Sequence, residues 1–258
     1  MVLTGDYHTH TPFSHGKNTV DENAAQAKAL GLKQIGISDH GFSHVAFGIR
    51  RRQLQDCVKE CKAAAEKYEI DVLVGIEANI RGLDGKADLK KSDYEHFDIY
   101  LCGKHVFVWY DTFSDMFRYG AANYFNKKTT ATAPEKLIKR NTLAYINTIK
   151  NNPIDAVTHL NYLCPADALE VAKCAADYGT YIELNAKKTH LTDDELSQIA
   201  AKTSARFIVS SDAHSADRVG EVGLVEEQLA RIHFPIERID NIDGRYPAFR
   251  FTQFKKTL

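Results

Sequence analysis

Two pairs of side chains stand two residues apart, His8 with His10 near the start of the chain and Asp212 with His214 near its end. On extended backbone, residues i and i+2 project to the same side, so each pair can grip one ion. Imidazole and carboxylate together suit zinc, with manganese or iron as alternatives. Asp39-His40, Glu77, His105 and His159 add further donors, and the two oxygens of Glu77 can bridge neighbouring ions. So rich a set implies more than one metal. A single histidine near a strand end is more often an ordinary hydrogen-bonded residue, so the weight lies on the recurrence of donors along the chain.

Such residues need a scaffold that gathers distant segments. Apolar, β-branched runs predict strands at 3–7, 34–38, 72–76, 99–103, 156–158, 181–184 and 207–210. Helical patterns lie between them, and Thr19…Glu22, Thr132…Glu135 and Thr192…Glu195 each have the Thr-x-x-Glu spacing of a capping box. Gly31 and Gly179 stand where a left-handed residue would stop a helix. The rhythm predicts a parallel α/β barrel or an open α/β sheet. His8 and His10 follow the first strand, Asp39-His40 the second, Glu77 the third, His105 the fourth, His159 the fifth, and Asp212 and His214 the seventh. In a barrel the C-terminal strand ends share one face, so all of these donors would converge.

The rest of the composition narrows the class. No repeat or composition break divides the chain, so residues 1–258 are expected to form one domain, with an aromatic-rich insertion around 109–130 that reads as either a short helix or a long loop. The 33 Lys and Arg against 34 Asp and Glu exclude acidic or basic tails and argue against unaided nucleic-acid binding. Five cysteines without a CxxC pair fit neither a disulfide framework nor a zinc knuckle, and a reducing cytoplasm is the expected location. The opening MVLTGDYHTH has no basic or apolar leader pattern, and no apolar run approaches the roughly 18 residues of a membrane span.

The ordered segments DYHTHT, SDH, GIE, KH, THL and SDAH resemble the PHP family, the polymerase and histidinol phosphatase superfamily. The resemblance runs from DYHTHT through SSDAHS and on through FPIERIDNI, and is nearer to stand-alone bacterial PHP phosphoesterases than to the domain fused to DNA polymerases. It implies a distorted, TIM-like (β/α)7 barrel with up to three divalent ions at the C-terminal ends of the strands. By that resemblance His8, His10, Glu77 and Asp212 would hold one ion, Glu77, His105 and His159 a second, and His15, His40 and His214 a third. Glu77 and Asp212 would be catalytic through the metals they hold. His15 lies in a loop, so its reach depends on how PFSHGKN folds, and Asp39 is expected to orient an imidazole.

The implied activity is phosphoester hydrolysis by a hydroxide bridging two metals, most simply on small phosphomonoesters, histidinol phosphate among them. Phosphodiesterase or exonuclease action, an amidohydrolase with Lys104 as metal bridge, and a non-catalytic metal-binding module are the alternatives. Lys104, Lys187 and Lys188 are candidates for phosphate contact, against the reading of solvated surface lysines. Arg50, Arg51 and Arg52 read as a basic corner or a lid. Trp109, Tyr110 and Phe113 read as packing or as a leaving-group pocket, and His44, His96, His190 and His233 carry no motif. A small phosphorylated substrate is the expected partner, with no membrane; nothing in the sequence bears on oligomeric state.

Overall fold

The computed structural model describes residues 1–126 and 129–258. Its seven strands are β1 (Gly5–Thr9), β2 (Gln34–His40), β3 (Asp71–Asn79), β4 (Ile99–Gly103), β5 (Ala156–Val157), β6 (Tyr181–Asn185) and β7 (Phe207–Ser210). They pair in parallel in sequence order. Parallel neighbours need crossovers, supplied mainly by helices α1 (Val20–Ala29), α2 (Leu54–Tyr68), α5 (Glu135–Asn151), α6 (Ala168–Tyr178) and α7 (Asp193–Lys202). Helices cover the outside while Tyr7, Ile99, Leu101, Ala156, Tyr181 and Ile208 fill the inside, which is why the strands are apolar on both faces. The result is a nearly closed, TIM-like barrel. Among the described residues no helix is long and apolar enough to cross a membrane.

The seam between β7 and β1 has two different closures. Towards the C-terminal strand ends, Thr9 bridges Ala213 in parallel, with His10 N donating to Ala213 O at 2.8 Å. Further down, a side chain replaces the ladder. The Asn241 amide donates to Gly5 O at 2.8 Å and Val209 O at 2.7 Å, and its oxygen accepts from Val209 N at 2.9 Å. Below the barrel, Asp155 accepts from the backbone N–H groups of Tyr100 and Phe251, each at 2.8 Å. Phe251 begins to pack there against Tyr94 and Tyr100, at the head of a short C-terminal helix over Arg250–Lys255.

All seven predicted strands form, but their ends move. The first runs over Gly5–Thr9 rather than 3–7, and β2 and β3 extend to His40 and Asn79 because their shared ladder continues, pairing His40 with Glu77. His8, His40 and Glu77 therefore stand on strands rather than after them. The capping boxes at Thr19 and Thr192 form as expected. The one at Thr132 does not: α5 starts after Pro134, and the Thr132 hydroxyl turns to Thr129, 3.2 Å away. Proline disfavours helical backbone at the residue before it, Ala133, which delays the helix. Gly31 and Gly179 take the positive φ expected of helix stops, +78° and +66°. The insertion is helical over α3 (Phe113–Asp115), a π-helical turn (Met116–Ala121) and α4 (Ala122–Asn126); residues 127 and 128 of that segment lie outside the described residues.

Candidate metal centre

The upper closure of the seam sets His8-Thr9-His10 directly against Asp212-Ala213-His214, so the two spaced pairs face one pocket. Glu77 lies at its centre. One oxygen is 2.7 Å from His159 Nε2, 3.0 Å from His105 Nε2 and 3.3 Å from His8 Nε2. The other is 2.8 Å from His40 Nδ1 and 3.8 Å from His10 Nε2. Asp212 Oδ1 lies 3.4 Å from His10 Nε2 and 3.3 Å from His214 Nδ1. The 11–16 loop folds back, stacking the His15 ring on His40 at 4.8 Å and placing it 4.3 Å from that of His214. All nine side chains singled out as ligands thus meet in one cluster.

Three donor groups are tight enough to hold an ion: His8, His10 and Glu77; His40, Glu77 and His105; and His10, His40 and His214. The chemistry fits divalent metals. His8 Nε2, both ring nitrogens of His10, Nδ1 of His15 and of His40, and one Glu77 oxygen are buried without a hydrogen bond. His40 Nδ1 and that Glu77 oxygen are 2.8 Å apart yet misaligned for one. Orphaned buried polar atoms cost roughly 1–3 kcal/mol each, a cost that cations among them would remove. Burial alone would raise the Glu77 carboxyl, but the charges of His105, His8 and His40 hold it well below the usual range. Asp212 is likewise held down against burial by His8 and His10. Burial, helped by the charge of His40, pushes His10 well below the ordinary imidazole value, which keeps its lone pair free.

The family model of the PHP domain matches residues 6–187. The chain belongs to the PHP-domain family. It is 31% identical over 257 residues to a probable phosphatase of Caldanaerobacter subterraneus, spanning 93% of this chain and 88% of that one. It is 29% identical to a probable phosphatase of Aliivibrio fischeri, over 93% of this chain and 89% of that one. The histidinol phosphate phosphatase of Lactococcus lactis, solved with zinc, L-histidinol and phosphate, shares the fold at a TM-score of 0.61 and 16% identity, covering 91% of this chain and 95% of that one.

Around the PHP centre stands a set of supports that sequence reasoning missed. Glu183, buried on β6, binds His8 Nδ1 at 2.6 Å and accepts from the His159 backbone N–H at 2.7 Å. Asn79 Oδ1 meets His105 Nδ1 at 2.8 Å and is itself held by Asp88. Such partners fix ring orientation and tautomer. The signal for Glu183 was a carboxylate inside the apolar run YIELN; its partner, 175 residues away, was invisible. Asp39, expected to orient an imidazole, stands 4.0 Å from His10 Nδ1 and accepts from Thr11 N at 2.8 Å, from Thr11 Oγ1 at 2.5 Å and from Ser14. It anchors the loop that carries His15. Gly103 clears room, since a Cβ there would lie 2.8 Å from the His159 ring. His159 and Asp212 themselves take φ of +33° and +50°, strained backbone of the kind that collects at functional sites.

The remaining candidates separate. Lys187 Nζ stands 3.3 Å from Asp212 and 3.1 Å from His214 Nδ1, at the mouth of the cluster. Lys104 instead turns away from the cluster: its ammonium donates to the His105 carbonyl and sits 5.5 Å from the Tyr119 ring, buried. Alternation continued past the end of β4 explains this, because His105 takes the position that faces Glu77. Arg51 forms two bonds with Asp93 and stacks on Phe42, while Arg50 donates to Val45 O; they brace loops rather than form a lid. Trp109, Tyr110 and Phe113 line a cavity of about 710 Å³ whose walls include none of the clustered histidines. His44 stacks on His40 at 5.2 Å, and His190 lies 6.0 Å from His159, so both border the centre. His96 precedes β4 and His233 follows α8 (Gly223–Arg231), neither in contact with the cluster.

Proposed function

We propose that this PHP protein is a metal-dependent phosphatase of small phosphomonoesters. The observation that carries the reading is the set of orphaned, buried imidazole and carboxylate atoms gathered on Glu77. His8, His10, Glu77 and Asp212 would hold one ion, Glu77, His105 and His159 a second, and His15, His40 and His214 a third, with zinc preferred over manganese or iron for so many imidazoles. Bound divalent ions would lower the pKa of water and offset the charge of a phosphoryl group.

The chain's own residues do the rest. Glu77 reaches both halves of the cluster with separate oxygens, and Glu183 holds His8 with Nε2 turned inward. Lys187, about half exposed beside Asp212 and His214, is placed to hold phosphoryl oxygens entering from solvent. No Ser or Cys nucleophile is needed. Lys104 faces away from Glu77, which counts against its bridging metals as in the amidohydrolase reading. The names of the two bacterial relatives point the same way.

Elemental analysis of the purified protein, with phosphate release from aryl phosphates, polyol phosphates, nucleotides, histidinol phosphate and short oligonucleotides, tests the reading. Two or three metals per chain with monoester turnover are expected. Full metal content with no hydrolysis would make the protein a binding module, and preferential cleavage of diesters would overturn the monoesterase reading.

A further inference from the structure

The apolar cavity beneath the insertion is separated from the centre, but a second cavity comes up to it through two of its wall residues. About 580 Å³ in volume, it is bounded by residues 161–163 after β5, residues 188–190 and 192 between β6 and α7, Asp194 and Glu195 at the start of α7, and residues 129–131. Two of its wall residues, Tyr162 and His190, pack 5.0 Å apart, and their rings lie 5.3 and 6.0 Å from that of His159. A narrow extension lined by His159, Glu183 and Asn185 shares Thr189 and His190 with the larger space. Lys187 faces Asp212 and His214, and the next residue, Lys188, lines the cavity. A phosphoester with its phosphoryl group beside Lys187 therefore has this space within reach of its other half.

We infer that this second cavity is the leaving-group pocket and that it takes a hydroxylated, polyol-type leaving group; the inference rests on the phosphatase reading above. The wall supplies unspent hydrogen-bonding groups. Among the described residues, the Tyr162 hydroxyl, the Lys188 ammonium, the Thr189 hydroxyl and the His190 ring nitrogens have no hydrogen-bond partner within the protein, whereas the Glu195 carboxylate is already engaged by Thr192 and Asn161. Several donors and acceptors spread over one wall match a chain of hydroxyls. An aryl group would cover them without replacing their bonds to water. The separate 710 Å³ cavity, walled by Phe107, Trp109, Phe113 and Tyr124, is more apolar and lacks Tyr162 and His190, the two wall residues that pack on His159.

The test compares kcat/KM for a polyol phosphate, glycerol 3-phosphate, with that for 4-nitrophenyl phosphate, each as the ratio of variant to wild type so that the intrinsic reactivity of the aryl ester cancels. With metal content measured alongside, H190L and Y162F are expected to lower the polyol value roughly tenfold, mainly through KM, with the aryl value within about twofold. T189V, which does not touch His159, is expected to move in the same direction by less, and W109A is expected to change neither substrate. Equal losses for both substrates in metal-replete H190L, no loss in any of the three pocket variants, or a selective polyol loss in W109A would overturn the assignment of the pocket. A metal-loaded wild type that hydrolyses neither ester would overturn the phosphatase reading itself, and the pocket with it.

Discussion

The two ends of the barrel treat buried polar groups in opposite ways. At the C-terminal strand ends, imidazoles crowd around Glu77 with several of their nitrogens unsatisfied, and two of the residues involved hold positive φ angles. At the N-terminal ends, Asn241 spends its amide on three seam contacts and Asp155 is bonded to two backbone N–H groups. One end leaves buried polar atoms without hydrogen-bond partners; the other pairs them. The difference teaches that the chain divides its labour lengthwise, chemistry above and cohesion below, as parallel barrels generally do.

Substitutions can break that division. The largest effect is expected for Glu77→Gln, which removes the charge on which five histidines converge: bound metal should be lost and phosphate release should fall on the order of a thousandfold, checked by elemental analysis and steady-state assay. A variant that kept both would show that the upper donors do not act as a unit. Glu183→Gln should weaken metal binding roughly 10–100-fold, because it only aims His8 and the 159 backbone; competition with a chelating dye measures it. At the other end, Asn241→Ala should destabilise the fold by about 2–4 kcal/mol in denaturant melts while the folded protein keeps its metal affinity, since it strands several buried backbone groups at the seam. A loss of metal affinity there would mean that the ends are coupled.

The smallest expected effect is a change of slope. Burial pushes the Asp155 carboxyl up to about 7 in the folded protein, against 3.8 ordinarily. Between those values the folded state holds a proton that the unfolded state has released, so this group's contribution to stability falls as pH rises from about 4 to about 7. Asp155→Asn should therefore flatten the decline of the thermal midpoint across that window, and an unchanged slope would show that Asp155 ionises freely in the fold.

The upper end was far more legible in the sequence than the lower. Candidate metal donors announce themselves by type, and their i, i+2 spacing and recurrence after predicted strands survived errors of two residues in the ends of β1. Supports are harder to read. Glu183 and Asn79 are ordinary residues until the partner across the barrel is known, and Lys104 beside His105 looked like a phosphate contact because strand alternation past the end of β4 was not followed. Asn241 was unreadable for a related reason: a side chain standing in for a strand ladder leaves no periodic pattern. The Thr132 box failed locally, since the proline two residues on outweighed the capping spacing.

The seam also bears on the order of synthesis. The nine side chains proposed as metal donors are all made by residue 214, but the groups that stitch the lower barrel, Asn241 and the Phe251 amide that meets Asp155, leave the ribosome later. Until they emerge, the seam rests on the bridge at Thr9 and Ala213 and on the Asp6 carboxylate, which accepts from Ser211 and Gly220. The growing chain thus carries a full complement of histidines before its floor is laid.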